Sequence, residues 1–169
     1  MSTFLQRAAA AFDAFFDAIS FASLRRKFFS AGAGKTAKRR RGDFGEKLAA
    51  KFLKKECAMK ILCRNFCAGR DEIDIVALDG ETLVFVEVKT RSERDLRGGL
   101  AAVDSRKRRA LHRAAEAYLR ALRERPAATR LDVVEVYLSD GAGTASGAAS
   151  GTPRIVHHCA VPWRLGGRR

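Results

Sequence analysis

From Asp71 to Arg91 the chain reads DEIDIVALDGETLVFVEVKTR, two apolar runs that gather several carboxylates and one interior lysine around an Asp-Gly dipeptide. Carboxylates in this setting suit Mg²⁺ or Mn²⁺, hard cations that take oxygen ligands and keep several waters. The expected chemistry is metal-assisted hydrolysis of a phosphodiester. Asp74 and Glu87 would hold the ion together with a backbone carbonyl, that of Val88. Lys89, two residues after Glu87, would position or help deprotonate the attacking water and neutralise charge on a phosphorane-like transition state.

That chemistry requires the carboxylates to meet, and the turn between the runs governs whether they do. Asp79-Gly80 between stretches rich in Val, Ile and Leu is a strong hairpin signal, because a two-residue turn needs positive φ at its centre. With Leu78 facing Glu81, Asp74 lies opposite Phe85 and Glu72 opposite Glu87. Period two then puts Glu72, Asp74, Val76, Leu83, Phe85, Glu87 and Lys89 on one face. Asp74 and Glu87 become diagonal neighbours, roughly 5 to 8 Å apart at their β-carbons. A longer loop closing at Ala77 and Thr82 keeps the same pairing, whereas a bulge would break it. Like charges on a partly buried face repel and resist desolvation, and a cation offsets both effects. The competing interpretation is a solvated hairpin face, but the second run puts its charges on a face that begins apolar.

The elements around the hairpin follow from periodicity. Gly42 or Asp43 can start a helix through about Cys57, with Phe44, Leu48, Phe52 and Leu53 inward and Glu46 on the border of that stripe. Lys60 to Phe66 reads as a strand ahead of the hairpin. Ser92 to Gly99 reads as a mobile loop carrying Arg94 and Arg97. Asp104 or Ser105 caps a helix to about Glu124, with Leu111, Ala115, Tyr118 and Leu122 inward. Leu131 to Leu138 and Arg154 to Ala160 are further strands, separated by a flexible Gly/Ala/Ser insertion at 139–153. The order α, β, β, β, α, β, β predicts an α/β fold with a mixed sheet flanked by helices.

The motifs GDFGEKLAAKFL, DEIDIVA, FVEVKTR, VDSRKRRAL and RLDVVEV, in that order, resemble the YraN family of small bacterial proteins, also labelled UPF0102. A helix Glu, then Asp, then Glu-x-Lys at the end of a strand is similar to the PD-(D/E)xK superfamily, which includes Holliday-junction resolvases. The resemblance covers residues 42 to about 138. It implies a restriction-endonuclease-like αβββαβ core, with Glu46 joining Asp74, Glu87 and Lys89 in a nuclease site. Asp71 departs from the family, which usually shows Gly there.

Charge agrees with a polyanion as partner. The 169 residues carry 33 Lys+Arg against 19 Asp+Glu, a net charge of +14. Nucleic acid is the expected partner, DNA ahead of RNA, and acidic membrane the runner-up. The residues expected at phosphates are Arg91, Arg94, Arg97, the cluster Arg106, Lys107, Arg108 and Arg109, and a flexible arm of Lys38, Arg39, Arg40 and Arg41. Cations at a helix N-terminus oppose its dipole, so the 106–109 cluster reads equally as phosphate-binding or as a solvated basic face.

The domain plan has residues 1–41 as an amphipathic helix plus basic linker, 42–163 as the endonuclease-like domain, and 164–169 as a basic tail. Asp13 and Asp17 interrupt the first apolar stretch, which argues against a transmembrane or secretory segment and for a cytoplasmic location. That helix is available to the domain, a partner or a membrane surface, and a homodimer is also compatible. Cys57, Cys63, Cys67 and Cys159 read as reduced thiols, since their spacing matches no disulfide framework. A zinc site drawn from Cys63, Cys67, His157, His158 or Cys159 lacks tightly spaced ligand pairs, so both histidines read as ordinary strand residues. Two functions fit this sequence: a metal-dependent endonuclease acting on DNA, with branched DNA a candidate substrate, and a nucleic-acid-binding protein on the same fold with little or no turnover.

Overall fold

Thr36 starts the first helix. Its hydroxyl accepts from the Arg39 amide at 3.3 Å, a serviceable N-cap for α1 (Ala37–Lys55). The helix therefore begins before the expected Gly42 or Asp43, and Lys38 to Arg41 form its first turn rather than a flexible arm. The reason is local: Thr36 can cap, and Ala, Lys and Arg propagate a helix well. A left-handed Ala58 (φ 54) and a Met59 N–H bond to the Leu53 carbonyl end it.

The computed structural model describes residues 36–92, 105–122, 126–139 and 152–162. The expected N-terminal amphipathic helix, Arg94, Arg97, most of the 139–153 insertion and the tail from Trp163 lie outside them. Beyond α1 come β1 (Lys60–Ala68), β2 (Asp71–Asp79), β3 (Thr82–Ser92), α2 (Ser105–Ala121), β4 (Ala128–Leu138) and β5 (Arg154–His158). The sheet order is β1-β2-β3-β4-β5. β3 and β4 are parallel and the other neighbouring pairs antiparallel, with α2 as the crossover that a parallel pair requires. This is the mixed, helix-flanked sheet expected from the element order. Among the described residues no helix is long and apolar enough to cross a membrane.

Each face of the sheet has its own core. Ile73, Val76, Leu83 and Phe85 pack with Leu111, Ala115 and Tyr118 of α2. Ile75, Ala77, Val84, Val86 and Val134 pack with Ala49 and Leu53 of α1. β3 is covered on both sides, which accounts for its unbroken apolar run LVFV. The inward stripe of α1 is centred on Gly45, Ala49 and Leu53, with Phe44, Leu48 and Phe52 at its margin.

Gly45 lies so close to β3 that a β-carbon there would collide with the Thr90 side chain, whereas one at Gly42 would meet nothing. Gly45→Ala is therefore expected to destabilise the fold by about 1–3 kcal/mol. Gly42→Ala, in the same helix, should be neutral or stabilising by up to about 1 kcal/mol. Urea unfolding of the two variants checks this, and equal effects would mean that the close approach of α1 to β3 is unimportant.

Candidate active site

The β2–β3 hairpin closes two residues differently from the sequence expectation. Leu78 pairs with Leu83 and Asp79 with Thr82, leaving Gly80 and Glu81 in the turn. Gly80 has φ +57 and Glu81 is not among the residues of positive φ, the pattern of a turn with glycine at its first central position. Asp79 is also held in the strand by Arg130, whose guanidinium lies 2.9 Å from its carboxylate. A two-residue shift preserves which face each side chain takes, so Val76, Leu83 and Phe85 do share a core.

The alternation nevertheless breaks at Asp74. The β2–β3 ladder ends at Ile75 and Val86. On the other side Asn65 of β1 has φ 54, and Ile73 joins the α2 core although Ile75 faces α1. The sheet is thus kinked where Asp74 stands, and its carboxylate accepts the Val88 amide at 2.7 Å. Asp74 reaches β3 across the gap left by the ended ladder. In an extended strand the N–H and C=O of one residue point to the same side. The Val88 carbonyl therefore also faces the Asp74 side.

Glu87 is only 2% exposed and carries an ammonium on each oxygen: Lys89 Nζ lies 2.7 Å from Oε1 and Lys107 Nζ 2.9 Å from Oε2. Lys107, expected at phosphates, is thus drawn into the carboxylate cluster from the first turn of α2. Burial opposes its charge, but Glu87, with Asp74 and Glu72, more than offsets this and its pKa is raised. Burial, followed by the charge of Glu87, pushes Asp74 up to about 8, against the pull of the Val88 amide and Lys107. Glu46 adds to that push, so its charge acts on Asp74 as well. Its Oε2 is held by Asn65 at 2.8 Å and Arg64 at 3.3 Å, both from β1. The charges of Glu87 and Glu46 thus both act on Asp74, Lys89 and Lys107 contact Glu87, and Arg64 and Asn65 contact Glu46. No spacing rule could have shown Lys107, Arg64 and Asn65 here, because Lys107 arrives from the crossover helix and the other two depend on how β1 lies against α1.

The arrangement suits a divalent cation. Two carboxylates meet where burial and mutual repulsion raise Asp74, and the ammonium of Lys107, acting on Asp74 and Glu87 together, already stands in for a cation. Mg²⁺ or Mn²⁺ would satisfy the same electrostatic demand with oxygen ligands.

Two residues expected at phosphates are engaged elsewhere. Arg41 donates to the backbone carbonyls of Arg91 at 3.0 Å and Leu138 at 3.3 Å, tying α1 to the ends of β3 and β4. Arg91 donates to buried Glu135 at 3.1 Å. A guanidinium can satisfy several acceptors at a crowded strand end, and both side chains are spent there. Arg106 and Arg109 are exposed on α2, and Arg108 is half-buried. Lys38, Arg39 and Arg40 are exposed on the first turn of α1.

A mixed sheet between two helices, with an acidic cluster and two lysines where a strand ladder ends, agrees with a restriction-endonuclease-like core. Residues 45–136 match the model of the family described as "Uncharacterised protein family UPF0102", and the chain belongs to that family. It is similar to the UPF0102 protein of Caldicellulosiruptor saccharolyticus, 44% identical over 104 residues, covering 60% of this chain and 86% of the relative. It is also similar to the UPF0102 protein of Arthrobacter sp. strain FB24, 43% identical over 116 residues, covering 69% and 90%. A third relative, from Parafrankia sp., is 47% identical over 98 residues, covering 58% and 82%.

Proposed function

We propose that this protein is a divalent-metal-dependent endonuclease acting on DNA, including branched DNA, in the cytoplasm. The observation that carries the reading is the convergence of Asp74 and buried Glu87, with Lys89 on one oxygen of Glu87 and Lys107 on the other. The four cysteines are free thiols, as a reducing compartment would keep them.

Asp74, Glu87 and the Val88 carbonyl would hold Mg²⁺ or Mn²⁺. When bound, the ion supplies Lewis acidity to a phosphoryl oxygen and to the attacking water. Lys89 orients that water and offsets charge as it develops on phosphorus. Glu46, steadied by Asn65 and Arg64, adds a carboxylate at the margin that can orient a further water. Lys107, now 2.9 Å from Glu87 Oε2, would be the nearest ammonium to a substrate phosphate if a cation took over the charge of Glu87.

The test is a cleavage screen over linear, flapped and four-way DNA and structured RNA, with Mg²⁺ or Mn²⁺, comparing wild type with Lys89→Ala. The competing function, nucleic-acid binding with little or no turnover, draws on Lys107, which already neutralises the site without a metal. A protein that binds these substrates but cuts none under either ion would favour it. RNA cleavage with DNA left intact would instead correct the substrate.

Binding itself should weaken steeply with salt, through counterion release from several phosphates. Replacing Arg106, Arg108 and Arg109 together by Gln is expected to flatten the log–log slope by about one unit for each phosphate that these side chains neutralise. An unchanged slope in a salt titration would mean that α2 does not face the nucleic acid.

A further inference from the structure

Away from the acidic site, three segments bring sulfur and nitrogen ligands together. Cys57 follows α1, His157 lies on β5, and Cys159 stands just beyond β5. Beneath them is Asp132 of β4, fully buried, whose two oxygens make four contacts with three residues. Oδ1 accepts from Arg130 Nε at 2.9 Å and the Ala160 amide at 3.0 Å. Oδ2 accepts from Arg130 Nη2 at 3.0 Å and lies 2.9 Å from His157 Nε2.

A carboxylate so saturated is a poor metal ligand, but it is a good orienting group. With Nε2–H of His157 donating to that carboxylate, the ring's lone pair lies on Nδ1. The Phe52 ring stands edge-on to the imidazole, with centroids 6.2 Å apart, and limits its rotation. Nδ1 then lies 3.7 Å from Cys57 Sγ and 3.6 Å from Cys159 Sγ. A tetrahedral zinc with Zn–S about 2.3 Å and Zn–N about 2.0–2.1 Å requires N···S separations of about 3.6 Å. Each thiol thus lies at about the N···S separation such an ion needs, and closing on one ion requires side-chain rotation that brings the two sulfurs together. Cys159 Sγ is also 3.6 Å from Nε2, so it sits over the ring, and being exposed it can turn into the ring plane.

We propose that Cys57 Sγ, His157 Nδ1 and Cys159 Sγ form a binding site for Zn²⁺, with Asp132 orienting the histidine and water completing the tetrahedron. The site clamps the end of α1 to edge strand β5. It is independent of the Asp74–Glu87 cluster, and its soft ligands select a different class of metal.

The test uses full-length, reduced, metal-free protein titrated with Co²⁺, read by absorption, and then displaced with Zn²⁺. The thiolate site should take one equivalent of Co²⁺, marked by a thiolate-to-cobalt charge-transfer band and tetrahedral visible bands, both lost when Zn²⁺ is added. Cys159→Ser, at an exposed position that should not disturb folding, should weaken binding by at least about 100-fold. Cys63→Ser and Asp74→Asn should leave the bands intact. Zn²⁺ should also raise the Tm of wild type but not of Cys159→Ser. Absence of a thiolate band, or a band unchanged in Cys159→Ser, would overturn the proposal. A reduced protein whose bands vanish in Cys63→Ser would do the same, because the metal would then be held elsewhere.

Discussion

Alanine at Asp74, Glu87 or Lys89 is expected to lower divalent-dependent cleavage by at least about two orders of magnitude, the scale of losing a principal transition-state stabiliser. The three act on one ion and one developing charge, so pairs of these substitutions should cost little more than single ones. Lys89 is the cleanest probe, since its side chain is 29% exposed and its removal leaves Lys107 against Glu87. Glu87→Ala would strand two ammoniums at a buried position, and Glu87→Gln, which keeps the shape, separates catalysis from folding. Single-turnover rates with and without chelator are the measurement. Cleavage that resists chelation, or full activity in all three variants, would remove the site from the chemistry.

The second large effect is on stability in the absence of metal. Asp74 is raised from 3.8 to about 8 in the folded chain, chiefly by burial and then by the Glu87 charge. Between those values the folded protein holds a proton that the unfolded chain has released. Stability therefore falls as pH rises from about 4 through about 8, and levels off above. Asparagine keeps an oxygen for the Val88 amide and cannot ionise. Metal-free Asp74→Asn should match wild type near pH 4 and exceed it near pH 8, by an amount of order a few kcal/mol. Divalent ion should restore wild type and leave the variant unmoved. Urea unfolding in chelator at the two pH values decides the matter. A variant less stable than wild type at pH 8 would show that the charge serves the fold rather than a ligand.

The chain's own letters determined the order of the elements, and with it the mixed sheet. The apolar periods of α1, α2 and the strands are local signals, and each element must bury the face that its period defines. They also determined that Val76, Leu83 and Phe85 line one core, because side-chain alternation survives any even shift of register. Asp74, Glu87 and Lys89 were legible as three charges on adjoining strands, but alternation did not carry Asp74 to its place, because it breaks there.

Tertiary structure decided how those groups meet. The register moved by two because Gly80 took the first place in the turn and Arg130 secured Asp79 from a strand 51 residues away. Asp74 bonds the β3 backbone because the ladder ends beside it, across β2 from a left-handed Asn65 in β1. Lys107 reached Glu87 only because a parallel crossover returns α2 over that face, which turned a residue expected at phosphate into a member of the acidic cluster. Arg41 and Arg91 went the other way, taken from the solvent by carbonyls and a carboxylate at the ends of β3 and β4. The cysteine–histidine cluster was the least visible, since Cys57 and His157 stand 100 residues apart and spacing rules detect only ligands close in the chain. A linear pattern records which faces must be buried, while long-range packing alone selects which polar groups those faces bring together.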